Sequence, residues 1–205
     1  MRSSNPLLIA LVCGTLLLIL TAAVWFGVTD QFDIAVRELA LNANPVGAET
    51  IWKQISFLGS AEVIVVLSVL AVFAFALLKK QRGAIHFALV MIGGVIIENA
   101  MKLAVHRPRP AEVFANTLPS SFSFPSGHAL FATAFYGSVA LIACKATTNS
   151  KKRKAVGMSA IALILAIGMS RIFLGVHYPT DVLGGFLTAV LWIAILEFAA
   201  QKYES

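Results

Sequence analysis

Arg171, His177 and Asp181 fall within residues 170–181, between two long apolar runs. Ionisable groups at a membrane boundary are costly and are kept there for a use. Two other clusters carry similar residues: Lys102 with Arg109, and Pro125-Ser126-Gly127-His128. Three cations, Lys102, Arg109 and Arg171, converging on one point demand an anion, and arginine suits phosphate through paired donors. Pro125 opens a helix, so Ser126-Gly127-His128 lies at a helix N-terminus, with free N–H groups and a positive dipole end. Gly127 lets the backbone approach an oxyanion closely, and Ser126 adds a hydroxyl donor. Together they form a phosphate cradle whose fixed donors stabilise charge in a transition state.

Two histidines supply the chemistry. His177 and Asp181 are four residues apart, and Pro179 can start a helix, so both meet at its first turn. A carboxylate bonded to one ring nitrogen fixes the tautomer and leaves the other nitrogen as a nucleophile. His128 could then donate a proton to the leaving oxygen. This division of labour needs no metal and no cofactor, and the sequence lacks the carboxylate clusters of a magnesium site. Each feature alone has an ordinary reading. His86 and His106 are read as tolerated interfacial residues, a single arginine snorkels, and Ser-Gly is a common cap. Their convergence on one face is what argues for a site. Glu98, one turn inward of Lys102, is read as its ion-pair partner.

The elements that must position these groups are membrane helices. The 205 residues are 59% apolar and 13% charged, against about 25% charged in a soluble domain. Mean hydropathy is +0.85. Several apolar runs reach the roughly 20 residues a helix needs to cross hydrocarbon. Six spans are expected, near residues 7–28, 63–78, 83–102, 125–146, 155–174 and 181–199. The first is read as a retained span, because it is longer than a signal-peptide core and lacks a good cleavage site. Between spans one and two, Ile51, Trp52, Ile55 and Leu58 form one apolar stripe and Phe32, Val36 and Leu39 a weaker one, broken at Asn44-Pro45 and Gly47. These are expected to be short interfacial helices with Trp52 at headgroup depth. Gly93-Gly94 permits a close helix contact. Cys13 and Cys144 are isolated in apolar runs, with no zinc or disulfide spacing. The expected fold is all-α, a single domain over residues 1–205: a six-transmembrane-helix bundle with short interfacial helices between spans one and two.

Charge gives the orientation. Lys79, Lys80 and Arg82 fall on one side with the run Lys151-Lys152-Arg153-Lys154. Positive residues favour the cytoplasm, which places both termini inside. The net charge of +6 is therefore topological, and no nucleic-acid partner is expected. Lys102, Arg107, Arg109 and Arg171 are exceptions, gathered in two places on the other face. Span parity puts His128, His177 and Asp181 there too.

At these residues the chain resembles the membrane branch of the type 2 phosphatidic acid phosphatase family. That family carries Lys, six residues, Arg-Pro, matched by Lys102 to Arg109-Pro110; Pro-Ser-Gly-His, matched by Pro125 to His128; and Ser-Arg, five residues, His, three residues, Asp, matched by Ser170-Arg171, His177 and Asp181. The resemblance implies a six-helix bundle with its site at the outer membrane surface. It implies that His177 attacks phosphorus to give a phosphohistidine, Asp181 orients it, and His128 protonates the leaving group and then activates water. Lys102, Arg109, Ser126, Gly127 and Arg171 would hold the phosphoryl oxygens. The first motif selects Arg109 over Arg107. Soluble relatives bind vanadate as haloperoxidases, which the six spans argue against here. The implied substrate is a lipid phosphate reached from the bilayer: undecaprenyl diphosphate, phosphatidylglycerol phosphate or phosphatidic acid. Residues 30–60 could shape the lipid's way in. A lipid phosphotransferase would use the same phosphohistidine. A six-span transporter with a phosphate gate would need ionisable groups deep in several spans, where the acidic candidates are Glu98 and Glu197 alone.

Overall fold

The structure, a computed structural model, describes residues 5–110 and 121–202. Among these, the helices are α1 (Pro6–Trp25), α2 (Asp30–Asn42), α3 (Ala48–Phe57), α4 (Ala61–Leu77), α5 (Gln81–Val105), α6 (Gly127–Ala132), α7 (Ser138–Ala146), α8 (Ser150–Phe173) and α9 (Pro179–Lys202). A π-helical turn, Thr133–Gly137, joins α6 to α7. Six runs are long and apolar enough to cross a membrane: α1, α3 with α4, α5, α6 through α7, α8 and α9. The chain is a multi-pass membrane protein. Leu18, Ile19, Phe73, Ile96 and Ile161 are exposed, as expected of side chains facing lipid rather than water.

Local chemistry sets the ends. Asn5 accepts hydrogen bonds from the Leu7 and Leu8 N–H groups, with Pro6 at the first helical position. Asn149 caps α8 in the same way. Both satisfy donors that a helix start leaves orphaned.

Helix α9 is the axis of the bundle. It packs along α1 and against α5 and α6. Its inward face carries Asp181, Gly184, Gly185, Thr188 and Ala189, all buried. A Cβ at Gly185 would stand 2.6 Å from the Ser126 carbonyl and 2.9 Å from the Ala129 Cβ. Only glycine allows α6 to begin directly against α9. The two starts are also tied, since Ser126 N donates to the Asp181 carbonyl at 2.9 Å. The expected close contact at Gly93-Gly94 is present: Gly93 lies against the Trp192 ring and Gly94 against Leu130 and Phe131.

Helices α2 and α3 are the short helices expected between spans one and two, and in each the buried residues lie off the apolar stripe. Phe32 and Leu39 are exposed, whereas Asp33 and Ala40 are buried. Ile51 and Leu58 are exposed, whereas Ser56 is buried. Trp52 is stacked on Phe173 of α8 at 4.4 Å and donates to Asn44 Oδ1 at 2.9 Å. In a membrane protein the apolar stripe of a helix is as well placed outward as inward, so a stripe does not identify the packed side.

Candidate active site

His177 sits on a tight connection between α8 and α9. Gly175 takes a positive φ of 74°, and the Val176 and His177 N–H groups both donate to the Arg171 carbonyl. This turn places the ring inside the protein, 2% exposed. Its Nδ1 lies 3.4 Å from Asp181 Oδ2 and 3.3 Å from Ser123 Oγ. Ser123 Oγ in turn donates to Asp181 Oδ2 at 2.5 Å. On the other side, Arg109 Nη1 donates to His177 Nε2 at 3.0 Å. An arginine cannot accept a proton, so Nε2 offers its lone pair and Nδ1 carries the hydrogen. Burial pushes the His177 pKa down to about 4, Arg109 and Arg171 push the same way, and Asp181 opposes them. The ring is therefore neutral at pH 7, with a lone pair directed at the cations.

Those cations come from three elements. Arg109 is held by the Ser121 carbonyl at 2.8 Å and the Val176 carbonyl at 3.2 Å, and burial lowers its pKa. Lys102, at the end of α5, pairs with Glu98 at 2.7 Å and reaches Ser121 Oγ at 3.3 Å. The expected Glu98–Lys102 pair is thus present. Arg171, at the end of α8, donates from Nη1 to Ser56 Oγ. Its Nε is buried without a partner, as is the hydroxyl of Ser126. An unsatisfied buried group costs about 1–3 kcal/mol. Two of them beside three cations are what a bound anion would satisfy. Gly127 lies so close to the Glu98 carboxylate that a side chain there would collide with it.

His128 occupies the first turn of α6, within electrostatic reach of Arg171, His177, Arg109 and Lys102. It lines a cavity of about 250 Å³ with Lys53, Ser56, Phe57, Ser60, Arg171, Leu174 and Val176. The helix starts at Gly127, two residues later than a Pro125 opening would give, with Ser126 as its N-cap.

Residues 83–203 match the family model described as PAP2 superfamily. The chain belongs to the PAP2 superfamily. It is 31% identical to phosphatidylglycerophosphatase B of Bacillus subtilis over 189 residues, covering 91% of this chain and 92% of that one. It is 30% identical to undecaprenyl-diphosphatase BcrC of the same organism, covering 61% of this chain and 62% of that one. Among solved structures it resembles the transmembrane PAP2-type phosphatidylglycerolphosphate phosphatase of B. subtilis, with a TM-score of 0.85, 28% identity, and 94% and 96% of the two chains covered. PAP2 membership, phosphatase relatives and six membrane-length helices make the chain a membrane lipid phosphatase.

The three PAP2 motifs converge at one end of the bundle, where α5 and α8 end and α6 and α9 begin. Four residues of the same neighbourhood lie outside the sequence-based set: Ser123, Arg107, Asp33 and Thr180. Arg107, which the first motif leaves out, is buried and donates to Asp181 Oδ1 and Thr180 Oγ1, each at 2.8 Å. It also pairs with Asp33 Oδ2 at 2.6 Å. Its pKa is raised: burial alone would lower it, and the carboxylates of Asp181 and Asp33 more than offset that. Removing one partner of such a buried pair costs about 3–5 kcal/mol. Asp33 could have been noticed as an acid in a short helix whose own charge is poorly balanced; its burial could not. Residues 111–120 of the loop expected between spans three and four lie outside the described residues.

Proposed function

We propose that this chain hydrolyses a lipid phosphomonoester or diphosphate through a phosphohistidine on His177. The observation that carries the reading is the His177 ring, with Nδ1 against Asp181 and Ser123 and the Nε2 lone pair against Arg109. Nε2 attacks phosphorus, and Arg109 passes its donors to the phosphoryl oxygens together with Lys102, Arg171, the Ser126 hydroxyl and the Gly127 backbone. The P–O bond to the lipid breaks and His128 supplies the proton the leaving oxygen needs. Water then attacks the phosphohistidine, His128 takes its proton, and phosphate leaves with His177 restored. No step uses a metal, so phosphate release should persist in EDTA; loss that magnesium restores would sink this mechanism.

The names of two relatives support phosphatidylglycerol phosphate and undecaprenyl diphosphate as lipid classes, and the family resemblance adds phosphatidic acid. A phosphate-release panel of the purified chain over these lipids, without an added acceptor, tests both substrate and reaction. Release that requires a lipid hydroxyl would mark a phosphotransferase. We place the site on the periplasmic or extracellular face, with both termini cytoplasmic, because the basic clusters flank the opposite ends of the spans. Labelling of intact cells at a cysteine substituted for Glu38 reads this directly. Protection of that cysteine from an impermeant reagent would reverse the topology.

A further inference from the structure

Asp33 is an acid with no exposure, on a helix whose apolar residues Phe32, Ile34 and Leu39 are exposed. Its Oδ2 accepts from Arg107 Nη2 at 2.6 Å and from Thr180 Oγ1 at 2.6 Å. Its Oδ1 accepts from the Thr180 N–H at 3.0 Å, one of the free donors at the start of α9. Arg107 continues the chain to Asp181 Oδ1 at 2.8 Å, with its guanidinium 4.3 Å from the centre of the Tyr178 ring. The two oxygens of Asp181 are therefore divided. Oδ1 belongs to Arg107, while Oδ2 receives Ser123 Oγ, the Tyr178 N–H and the His177 ring. The carboxylate cannot rotate away from His177 without losing Arg107.

We propose that Asp33 and Arg107 are positioning residues for the reaction: α2 reaches over the start of α9 and, through Arg107, sets both the placement and the charge balance of Asp181 behind His177. This rests on His177 being the phosphoryl acceptor. Asp33 lies outside the matched family segment, and neither residue faces the phosphate cradle. Arg107 stands between the two buried carboxylates, Asp33 and Asp181, and also reaches the exposed Asp30 at 3.4 Å, a pair that solvent screens; the three buried groups together present one net negative charge to His177. Removing the Asp33 charge leaves none; removing the Arg107 charge leaves two. A shape-only role predicts no such asymmetry.

The experiment is the pH dependence of kcat/KM for phosphate release by the purified full chain, on whichever lipid phosphate the wild type hydrolyses. One substrate throughout cancels its own ionisation. The other charged groups around His177 and Arg107 stay constant: Asp30 from α2, Lys102 and Glu98 from α5, Arg109 from the loop, His128 from α6, Arg171 from α8 and Asp181 from α9. Asp33→Asn should move the acid limb to lower pH, and Arg107→Gln should move it to higher pH, each by about half a unit or more, as expected for a unit charge at this range. Both should lower kcat about tenfold or more with little change in KM. The paired variant should return the limb to its wild-type position. Limbs that coincide with wild type while kcat falls would overturn the proposal in favour of plain structural support. Should the charge variants fail to fold, Thr180→Val removes only the bridging hydroxyl. It should lower kcat severalfold at constant KM, and an unchanged kcat overturns the proposal. His177→Ala runs alongside: activity there sinks the phosphohistidine reading itself, whereas an inactive His177→Ala with unmoved limbs sinks only the positioning role.

Discussion

His177 and His128 share one pool of cations, but they are held in opposite ways. Every polar edge of His177 is occupied: Asp181 and Ser123 on one nitrogen, Arg109 on the other. Behind it the hydrogen bonds continue through Arg107 to Asp33. No hydrogen bond holds the His128 ring among the described residues; it lines a cavity shared with Ser56, Ser60, Arg171 and Leu174 instead. A nucleophile gains from being fixed, because its lone pair must be aimed before the substrate arrives. A general acid must meet leaving groups that differ in size and position, and an open wall suits it. On the proposed mechanism, the lipid-bearing oxygen would stand in the cavity beside His128.

The largest effect expected from this asymmetry is at the fixed ring. His177→Ala should reduce single-turnover phosphate release by at least about a thousandfold whatever the leaving group. Activity near wild type would remove it as nucleophile. His128→Ala should lose roughly a hundred- to ten-thousandfold, and the loss should depend on the substrate. An alkyl phosphate monoester leaves as a strongly basic alkoxide and needs the proton; a lipid diphosphate leaves as a phosphate and needs it less. Equal losses on both would mean that His128 does not act on the leaving oxygen.

The pH profile gives a smaller, signed effect. With its pKa lowered to about 4, chiefly by burial, His177 keeps its lone pair from neutral pH down to that value. As pH falls through it the ring is protonated and the nucleophile is lost. On a substrate whose own ionisation is corrected for, kcat/KM should hold between pH 7 and pH 5 and then fall. A limb at the ordinary histidine value near 6.5 would show that the ring is solvated during turnover.

How much of this could be read in advance differs between the two regions. The groups of the candidate site were legible because their chemistry is written in residue type and spacing: Lys102, Arg109, His128, Arg171, His177 and Asp181 are costly in a membrane, and span parity gathers them on one face. The six spans were legible for the same reason, since length and hydropathy decide them. The support behind His177 was not. Asp33 belongs to a helix whose apolar stripe, Phe32 and Leu39, faces outward. The usual rule that the polar side faces solvent then selects the wrong side, and the buried acid reads as a surface charge. Arg107 sits two residues from Arg109; the family motif separates the two, but nothing in the sequence says that Arg107 turns toward carboxylates on two other helices. Ser123 is one serine in a serine- and proline-rich loop. Its role depends on a partner 58 residues away, which no local pattern encodes.

Ser123 also gives the smallest of the expected effects, and the one that tests the fixed ring most directly. Its hydroxyl donates to Asp181 Oδ2 at 2.5 Å and lies 3.3 Å from His177 Nδ1. It therefore fills the gap left by the long 3.4 Å approach of Asp181 to the ring, accepting from Nδ1–H while donating to the carboxylate. Ser123→Ala removes that link without changing charge. The remaining Asp181–His177 contact is close to the limit of a useful hydrogen bond, so the ring should lose part of its aim rather than its tautomer. The expected result is a fall in kcat of about five- to tenfold, the worth of one neutral hydrogen bond of about 1 kcal/mol, with KM nearly constant and the acid limb little moved. Ser123→Thr keeps the hydroxyl and should restore most of the rate, provided its methyl group is accommodated. A loss in Ser123→Ala as large as that in His177→Ala would mean that the serine handles the proton itself. No loss at all would mean that Asp181 holds the ring unaided.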